Sequence, residues 1–580
     1  MTDVTERSSA LGDDSPTDDG PADGPDLRRR PVVIEPLGHI PALDGLRAVA
    51  VMAVLLYHAR FSWIPGGFLG VSMFFTLSGF LITSLLLREW NSTTAGAGSI
   101  DLRRFWRRRF RRLLPASWCV LGVVVLMGLL GVWDTEQLRS LRGDVPFALA
   151  EVINWHFIAQ DRSYGTAFVA PSPLEHYWSL AVEQQFYVVL PLVVVGVLTL
   201  ARRRPARHGV RMLVGVFVAL TVVSAVANGV LARSSVDRAY FGTDTRMAEM
   251  LVGSLLACAM LRRLRFSHPL ARRALAAVAV VAGVVTVWFW HSARLDAASL
   301  YPWGLLLSAL CTAALIAAAT DEGLLASALS VRPLVWLGGL SYGIYLLHWP
   351  IFLWLTPLRT GLDPVPLFGL RFAVTLLAAM AMYQLVEHPI RSGGRLNGRA
   401  VPIMALSAVA ALLAGTFWTT RDLAPPPVLL EAAQTTTPPP PPPVVDAMVI
   451  GDQFAGAVAA DVSGVEGLEG LSLTAAATAD CGLAIGGYVS LTDGSVERDV
   501  DRCANVRSSW VDAVASARPD VTIVMPTLRD RAPRRFSPQT PWAAPDDPAV
   551  ADFLRSDLVG LVEELRETGP DVVLATAPDV

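Results

Sequence analysis

Long apolar segments recur along most of the chain and are separated by short polar loops. A helix that spans a bilayer needs about 20 consecutive, mainly apolar residues. The pattern therefore predicts eleven membrane-spanning helices, at residues 43–62, 66–87, 113–132, 176–200, 212–232, 244–261, 274–291, 302–320, 334–356, 365–386 and 401–418.

The composition of the chain agrees with this pattern. Of its 580 residues, 53% are hydrophobic and only 17% are charged, and the mean hydropathy is +0.45. Soluble proteins of this size are less apolar, so the composition indicates a polytopic α-helical membrane domain. The N-terminal segment 1–38 begins with polar and acidic residues that cannot bury enough apolar surface to fold, and we expect a disordered tail there.

Arginine is distributed unevenly between the loops, and the chain contains no lysine. Loops on the cytoplasmic side of a membrane carry an excess of positive charge. Arginine precedes the first predicted span and then follows every second one, at 28–30, 103–112, 202–211, 262–273, 332 and 391–399. This alternation places the N-terminus in the cytoplasm, and an odd number of spans places the C-terminal region outside the cell membrane.

The pattern changes after the last predicted span. The chain divides into a membrane domain at 39–390, a linker with the eleventh span at 391–420, a proline-rich linker at 421–445 and a final region at 446–580. Six consecutive prolines make the second linker an extended, semi-rigid spacer. Short apolar runs separated by helical patterns then predict an α/β domain with parallel strands at 447–451, 520–526 and 571–578.

Three ionisable residues lie in the first predicted span, namely Asp44, Arg47 and His58. Charged groups inside a bilayer are costly, so they face a protein interior or a water-filled cavity and pair with one another. Asp44 and Arg47 are three residues apart and can pair on one helical face, and His58 lies about four turns further on. They are either an interfacial pair and a hydrogen-bonded imidazole, or a site with His58 as general base.

The sequence "FWRRRFRRLLPA" at 105–116 forms a dense cationic patch that runs into the third span. Such a patch beside a membrane helix is usually a topology signal or a contact for anionic lipid. Arginine also binds phosphate through a rigid, bidentate fork, as a nucleotide cofactor such as coenzyme A would require. The sequence by itself leaves both interpretations open.

Polar residues also interrupt two later spans. Glu183 lies deepest in the segment "LEHYWSLAVEQQFYVVLPL" at 174–192, where it is either paired for structure or acts as an acid, a base or a substrate ligand. His348 lies in the apolar run "LSYGIYLLHWPIFLW" at 340–354, and packing is the favoured interpretation for it.

Five segments of the chain together resemble the acyltransferase-3 family of integral membrane O-acyltransferases, which includes bacterial polysaccharide O-acetyltransferases. They follow one another in the region from about 41 to 390 as "PALDGLRAVAVMAVLLYH", "GGFLGVSMFFTLSGFLIT", "FWRRRFRRLLP", "YWSLAVEQQFYVVLPL" and "LSYGIYLLHWP". The resemblance implies that a short acyl group, by default acetyl, moves from cytoplasmic acyl-CoA to a hydroxyl of an extracytoplasmic glycan or glycoside. It implies a multi-pass protein of the cell membrane whose partners are the lipid bilayer, coenzyme A and a carbohydrate, and not a nucleic acid.

The resemblance also implies roles for individual residues. His58 would be essential for acyl transfer, with Asp44 and Arg47 supporting the site and Glu183 lining the catalytic core. His58 would either deprotonate the acceptor hydroxyl or carry the acyl group itself.

The donor site follows from the same resemblance. Arg109 and Arg112 form the R-x-x-R motif of the family, which engages the acyl-CoA. No metal is expected.

The C-terminal region resembles the extracytoplasmic SGNH-hydrolase-like domain, of flavodoxin-like α/β fold, that is fused to some family members. The nucleophile of that domain lies in Gly-Asp-Ser after the first strand, but residues 451–453 here are Gly-Asp-Gln. An amide cannot replace a serine hydroxyl as an acyl-carrying nucleophile, and no histidine follows His388. We therefore expect a degenerate or truncated domain, in which Cys481 and Cys503 could pair if it lies in an oxidising compartment.

A different function uses some of the same features. Polar groups in glycine-rich and proline-containing spans are also typical of transporters and flippases. The arginine patch separates the two hypotheses, because an enzyme that uses acyl-CoA needs a phosphate-binding site and a transporter of glycans does not.

Overall fold

The computed structural model describes most of the chain, namely residues 39–91, 99–160, 162, 171–202, 206–260, 269–295, 297, 299–321, 323–391, 400–421, 423, 445–462, 471–491, 496–527 and 529–575. The expected disordered tail at 1–38 and nearly all of the expected linker at 421–445 lie outside these residues.

The first part of the described chain is helical. Its helices are α1 Pro41–His58, α2 Leu69–Asn91, α3 Leu102–Leu129, α4 Thr135–Leu149, α5 Ile153–Ala159, α6 Tyr177–Leu200, α7 Ala206–Leu231, α8 Val236–Phe241, α9 Thr243–Met260, α10 Pro269–Ser292, α11 Leu305–Ala319, α12 Leu324–Leu329, α13 Arg332–Trp354, α14 Pro357–Thr360, α15 Pro364–Met382, α16 His388–Arg391 and α17 Ala400–Thr420. Short π-helical segments, Leu300–Gly304 and Tyr383–Glu387, lead into α11 and continue α15.

Within the described residues, seven helices are long and apolar enough to cross a membrane: α1, α2, α3, α6, α7, α10 and α15 with its continuation. The other four predicted spans coincide with α9, α11, α13 and α17. The helix α11 has only 15 residues, and α9 carries the charged residues Asp244, Arg246 and Glu249. The chain is therefore a multi-pass membrane protein, and the number of eleven crossings stays a prediction.

Glycine allows two helix pairs to pack with their backbones in close contact. The pairs are α1 with α13 and α2 with α9. A methyl group at Gly338 would lie 1.8 Å from the carbonyl oxygen of Asp44, and one at Gly79 would lie 1.8 Å from that of Met250. Any larger residue at either position would push the helices apart. The contact at Gly338 holds together α1 and α13, the helices that carry His58 and His348.

The charges of α9 are satisfied inside the helix bundle. Arg246 and Glu249 are both almost completely buried, and Arg246 Nε donates to Glu249 Oε1 at 2.6 Å. The guanidinium also lies 4.7 Å from the centre of the Tyr240 ring. A buried charge is tolerated when it is paired and hydrogen-bonded, so this pair explains how a helix with several charges can lie in the bundle.

The C-terminal part is an α/β unit. Its elements are β1 Val445–Gly451, α18 Gln453–Val462, β2 Leu471–Ala477, β3 Tyr488–Ser490, β4 Val496–Arg498, α19 Asp499–Cys503, α20 Val506–Ala517, β5 Val521–Val524, β6 Arg534–Arg535, α21 Pro548–Glu567 and β7 Asp571–Leu574. Four parallel strands form one sheet in the order β2-β1-β5-β7, and β4-β3-β6 form a small antiparallel sheet.

The sequence predicted three of the four parallel strands. In the sheet, β1 pairs with β5 and β5 with β7, with Val449 opposite Ile523 and Ile523 opposite Val573. The prediction missed β2 and the antiparallel sheet. β2 is rich in alanine and is mostly exposed or half-exposed along its length, so its hydrophobic pattern is weak.

The two cysteines of this unit form a disulfide. Cys481 and Cys503 are both buried, and their Cα atoms are 5.8 Å apart. They lie in the same apolar core as Trp510 and Val524. The bridge ties the loop after β2 to the end of α19.

Candidate functional site

Two histidines from different helices meet at the C-terminal ends of α1 and α13. His58 is the last residue of α1, and His348 lies in the last two turns of α13. The distance between His58 Nδ1 and His348 Nε2 is 3.2 Å. Both side chains are buried, with exposed fractions of 7% and 0%. They form the centre of what we call the histidine cluster, His58, His176 and His348.

The surroundings of the cluster fix the imidazole rings in place. His348 Nδ1 lies 2.6 Å from the carbonyl oxygen of Tyr345, and His176 Nε2 lies 3.0 Å from that of Leu346. The rings of His176 and His348 are 5.6 Å apart, centre to centre. Trp349 packs 4.8 Å from the ring of His58. The cluster is thus a buried group of imidazoles held by backbone carbonyls and aromatic rings.

A cavity lies between α1, α2, α3, α6 and α13. We call it the arginine cavity, because Arg47, Arg109 and Arg112 line it together with Glu183. Its other lining residues are mostly aromatic, aliphatic or hydroxylic: Val71, Phe74, Phe75, Leu77, Ser78, Leu81, Leu113, Ser179, Leu180, Tyr187, Ser341, Tyr342 and Tyr345.

Glu183 is held by two hydroxyl groups at the wall of this cavity. Both Ser78 Oγ and the Tyr187 hydroxyl donate hydrogen bonds to Glu183 Oε1. The Tyr187 hydroxyl and Ser78 Oγ are themselves 3.0 Å apart, and the guanidinium of Arg109 lies 4.6 Å from the centre of the Tyr187 ring. The carboxylate, the hydroxyls and the guanidinium therefore form one connected polar group.

The arginine-rich segment is itself the beginning of α3. The sequence predicted a span that begins at 113, but the helix begins at Leu102, capped by the Asp101 side chain. Trp106 Nε1 donates to the carbonyl oxygen of Tyr187 at 3.0 Å, which fixes the rotation of α3 against α6. This rotation turns Arg109 and Arg112, three residues apart on one face, into the cavity.

Asp44 and Arg47 form the pair that the sequence predicted. Arg47 Nη1 lies 3.6 Å from Asp44 Oδ1, and His39 Nε2 lies 2.6 Å from Asp44 Oδ2. Arg47 reaches the arginine cavity, whereas Asp44 is not among its lining residues. Asp44 thus contacts Arg47 from outside the cavity.

Tyr345 and Ser179 separate the arginine cavity from the histidine cluster. The Ser179 hydroxyl and the Tyr345 hydroxyl are 2.6 Å apart, and Tyr345 also donates to the carbonyl oxygen of His176 at 3.1 Å. Both residues line the cavity. On its other side, the Tyr345 ring lies 5.3 Å from the ring of His348. One layer of side chains therefore stands between the two polar sites.

The structure brings the sequence-predicted residues together in two places. Arg47, Arg109, Arg112 and Glu183 share the cavity, Asp44 pairs with one of them, and His58 belongs to the cluster. The sequence interpretation favoured packing for His348 and assigned no role to His176 or Tyr345. The available signal was position, because α1 and α13 each carry a histidine in their last two turns. In the part of the chain that the structure describes, no group of histidine, cysteine, aspartate and glutamate side chains could hold a metal ion.

The family of the chain follows from a comparison with known sequences. A family model described as "Acyltransferase domain" matches residues 40–384. Because this match covers more than half of the chain, the chain belongs to the acyltransferase-3 family, as the resemblance of its motifs predicted.

Several curated proteins are similar to the chain. Peptidoglycan O-acetyltransferase OatA of Listeria monocytogenes is 37% identical over 368 residues, which are 62% of this chain and 57% of the relative. O-acetyltransferase OatA of Staphylococcus aureus is 33% identical over 367 residues, 61% of this chain and 58% of the relative. YrhL of Bacillus subtilis is 40% identical over 369 residues, 61% of this chain and 55% of the relative. The matched region thus spans little more than half the length of these relatives, and no solved structure matches the chain.

Proposed function

We propose that this chain is a membrane O-acyltransferase that moves an acetyl group from cytoplasmic acetyl-CoA to a hydroxyl of an extracytoplasmic glycan. The observation that carries the proposal is that two different polar sites lie next to each other in one helix bundle. The arginine cavity offers cations for a phosphorylated donor, and the histidine cluster offers a base for an acceptor hydroxyl. Membership of the acyltransferase family supports the same reaction class.

The donor would bind at Arg109 and Arg112. Guanidinium groups bind phosphate through charge-assisted, bidentate hydrogen bonds. Arg109 Nε is buried and has no hydrogen-bond partner among the described residues, so it can donate to a ligand. The basic end of α3 contacts the carbonyl oxygen of Ile390 through Arg111 at 2.6 Å, so two segments predicted to be cytoplasmic lie together. Coenzyme A would thus enter from the cytoplasm.

The acceptor would meet His58. In the proposed reaction His58 takes the proton of the acceptor hydroxyl, and the oxygen attacks the carbonyl carbon of the thioester. A new C–O bond forms and the C–S bond breaks. The sulfur leaves with the electron pair of that bond, and the proton held by His58 returns to it. Glu183 and its two hydroxyl donors would line the path of the acyl group.

The names of the relatives support a cell-wall glycan as acceptor. The Listeria protein is named a peptidoglycan O-acetyltransferase. We extend this acceptor class to the present chain. The specific groups to be tested are the hydroxyls of N-acetylated sugars.

The proposed topology has the N-terminus in the cytoplasm and the α/β unit outside. The Cys481–Cys503 disulfide supports this orientation, because disulfides persist in oxidising compartments. An ion pair also supports this orientation. Arg535 of the α/β unit lies 2.6 Å from Asp363, in the loop between α14 and α15 that the span order places outside.

The α/β unit would assist the reaction but would not itself carry the acyl group. The residue after Gly451-Asp452 is Gln453, and its Oε1 accepts a hydrogen bond from the backbone N–H of Asp480 at 3.0 Å. Burial raises the pKa of the neighbouring Asp452 carboxyl. No hydroxyl is present at position 453 to act as a nucleophile, so we assign acyl transfer to the membrane domain and acceptor positioning to the α/β unit.

The test uses purified full-length protein in proteoliposomes. Acetyl-labelled acetyl-CoA is supplied on the arginine-rich side and peptidoglycan fragments on the other, and base-labile O-acetyl esters are measured by mass spectrometry. We expect label on the glycan only when both substrates are present. Accumulation of a glycan or acyl intermediate without thioester cleavage would instead identify a transporter.

A further inference from the structure

The hydrogen bonds of the histidine cluster determine which ring nitrogens carry protons. A backbone carbonyl can only accept a hydrogen bond. His348 Nδ1 lies 2.6 Å from the carbonyl oxygen of Tyr345, so this nitrogen is the protonated one and donates the bond. In a neutral imidazole the other nitrogen then carries a lone pair.

The surroundings of His348 favour the neutral form. The side chain is completely buried and lies against the rings of Tyr345 and Phe352. None of the described carboxylates forms an ion pair with it. An unpaired charge in such a site would lose its hydration without compensation. His348 Nε2 is therefore a hydrogen-bond acceptor.

This acceptor faces His58. Because His348 Nε2 has a lone pair, the atom 3.2 Å away, His58 Nδ1, must be the donor. The opposite tautomer of His58 would bring two lone pairs into contact at this distance. The backbone of Val54, one turn earlier in α1, is a further hydrogen-bond partner of the His58 ring. With Nδ1 protonated, the lone pair of His58 lies on Nε2. The ring stacked beside it, Trp349, is itself held by a hydrogen bond from its Nε1 to the carbonyl oxygen of Ser172 at 2.8 Å.

We propose that His348 is a positioning residue that fixes the tautomer of His58, so that His58 Nε2 is the nitrogen that takes a proton. The chain of contacts runs from the Tyr345 carbonyl through His348 to His58. It places a neutral imidazole where hydrolases use a carboxylate to orient their catalytic histidine. An imidazole in that position orients the base without adding a buried negative charge. This inference rests on the proposed role of His58 as the base.

Two variants of similar size separate the orienting role from simple packing. His348→Gln places an amide oxygen near the position of Nε2, so the acceptor for His58 is kept. His348→Leu fills the same space without an acceptor. Full-length protein labelled with ¹⁵N in its histidine rings is reconstituted in lipid, and the ring nitrogens are observed by solid-state NMR, with His58→Asn used to assign the signals of His58.

The expected spectrum has a protonated Nδ1 on His58 in the unmodified protein and in the glutamine variant, and a mixture of tautomers in the leucine variant. In acetyl transfer, we expect the leucine variant to lose about 100-fold in kcat with little change in the KM for acetyl-CoA, since loss of the orienting group in a hydrolase lowers kcat by up to about 10⁴. The glutamine variant should stay within about tenfold of the unmodified protein.

Several outcomes would overturn the inference. If Nδ1 of His58 carries no proton in the unmodified protein, the inference is wrong, and this result does not depend on whether the leucine variant folds. Equal loss of transfer in both variants would also overturn the inference, since that result would mean that the His348 imidazole passes a proton. The proposed function fails separately: in that case His58→Asn stays active while the tautomer of His58 in the unmodified protein is as described.

Discussion

The arginine cavity and the histidine cluster lie in the same helix bundle but differ in almost every physical property. The cavity is lined by full charges, those of three arginines and one glutamate. The cluster contains imidazoles, tightly packed against Trp349 and Tyr345. The arginine cavity has the charges to bind a charged molecule, whereas the histidine cluster holds its own imidazole rings in fixed positions.

In the proposed reaction, this difference would allow one bundle to serve two substrates from opposite sides of a membrane. Fixed cations attract a phosphorylated donor over a long range. A base that must take a proton from a neutral hydroxyl works best uncharged and in a defined orientation. Ser179 and Tyr345 lie between the two, so in the proposed reaction the acyl group has only one layer of side chains to pass.

The largest effect is expected when the cluster loses its base. His58→Ala should lower acetyl transfer by about 1,000-fold or more, since a positioned general base contributes about 10² to 10⁴. Binding of acetyl-CoA should remain, because His58 is not among the residues that line the arginine cavity. Transfer is measured as base-labile acetyl on the glycan, and binding by the protection of the protein against thermal unfolding.

The control for this variant is a substitution at His291, an exposed histidine of α10 that belongs to neither polar site. His291→Gln should keep transfer within about threefold. If His58→Ala retains transfer, the division between a binding site and a chemical site is wrong.

The next effect concerns the cavity. Replacing both Arg109 and Arg112 by glutamine should raise the KM for acetyl-CoA by about 100-fold, because two charge-assisted hydrogen bonds contribute about 1.5–3 kcal/mol each and the effects overlap. The value of kcat should change much less. Arg104→Gln is the matched control, since Arg104 is exposed on the same helix. Equal changes in the control and the double variant would show that only the overall charge matters.

The sequence predicted the helical membrane region, three of the four parallel strands and four residues that line the cavity, Arg47, Arg109, Arg112 and Glu183. It could do so because the period of the hydrophobic residues, the spacing of the arginines and the i, i+3 relation of Arg109 and Arg112 are local properties. Each can be read from residues that are close together in the sequence. The contact between Asp44 and Arg47 is local in the same way.

The histidine cluster could not be predicted in this manner. His58 and His348 are 290 residues apart, and only the packing of α1 against α13 through Gly338 brings them together. In the sequence His348 looks like one polar residue in an apolar run. Likewise, β2 was missed because pairing with β1, rather than its own pattern, makes it a strand.

A smaller effect is expected at the layer between the two sites. Tyr345→Phe removes the hydroxyl that lies 2.6 Å from Ser179 Oγ and that also donates to the His176 carbonyl oxygen. We expect a loss of about tenfold in kcat, the equivalent of one or two hydrogen bonds. The KM for acetyl-CoA and transfer by Ser179→Ala are measured in parallel. An increase in acetyl-CoA hydrolysis without transfer would indicate that this layer keeps water from the donor.

The smallest effect on transfer is expected in the α/β unit. Replacing Cys481 and Cys503 by serine should lower the free energy of unfolding of this unit by about 3 kcal/mol, because the disulfide closes a loop of moderate length. Transfer to short glycan fragments should stay within about twofold, since neither polar site of the membrane domain includes a residue of this unit. Stability is followed by limited proteolysis of the full-length protein with and without reductant. A loss of transfer in step with the unfolding of the unit would show that the arginine cavity and the histidine cluster are not sufficient, and that positioning of the acceptor by the α/β unit is required even for short fragments.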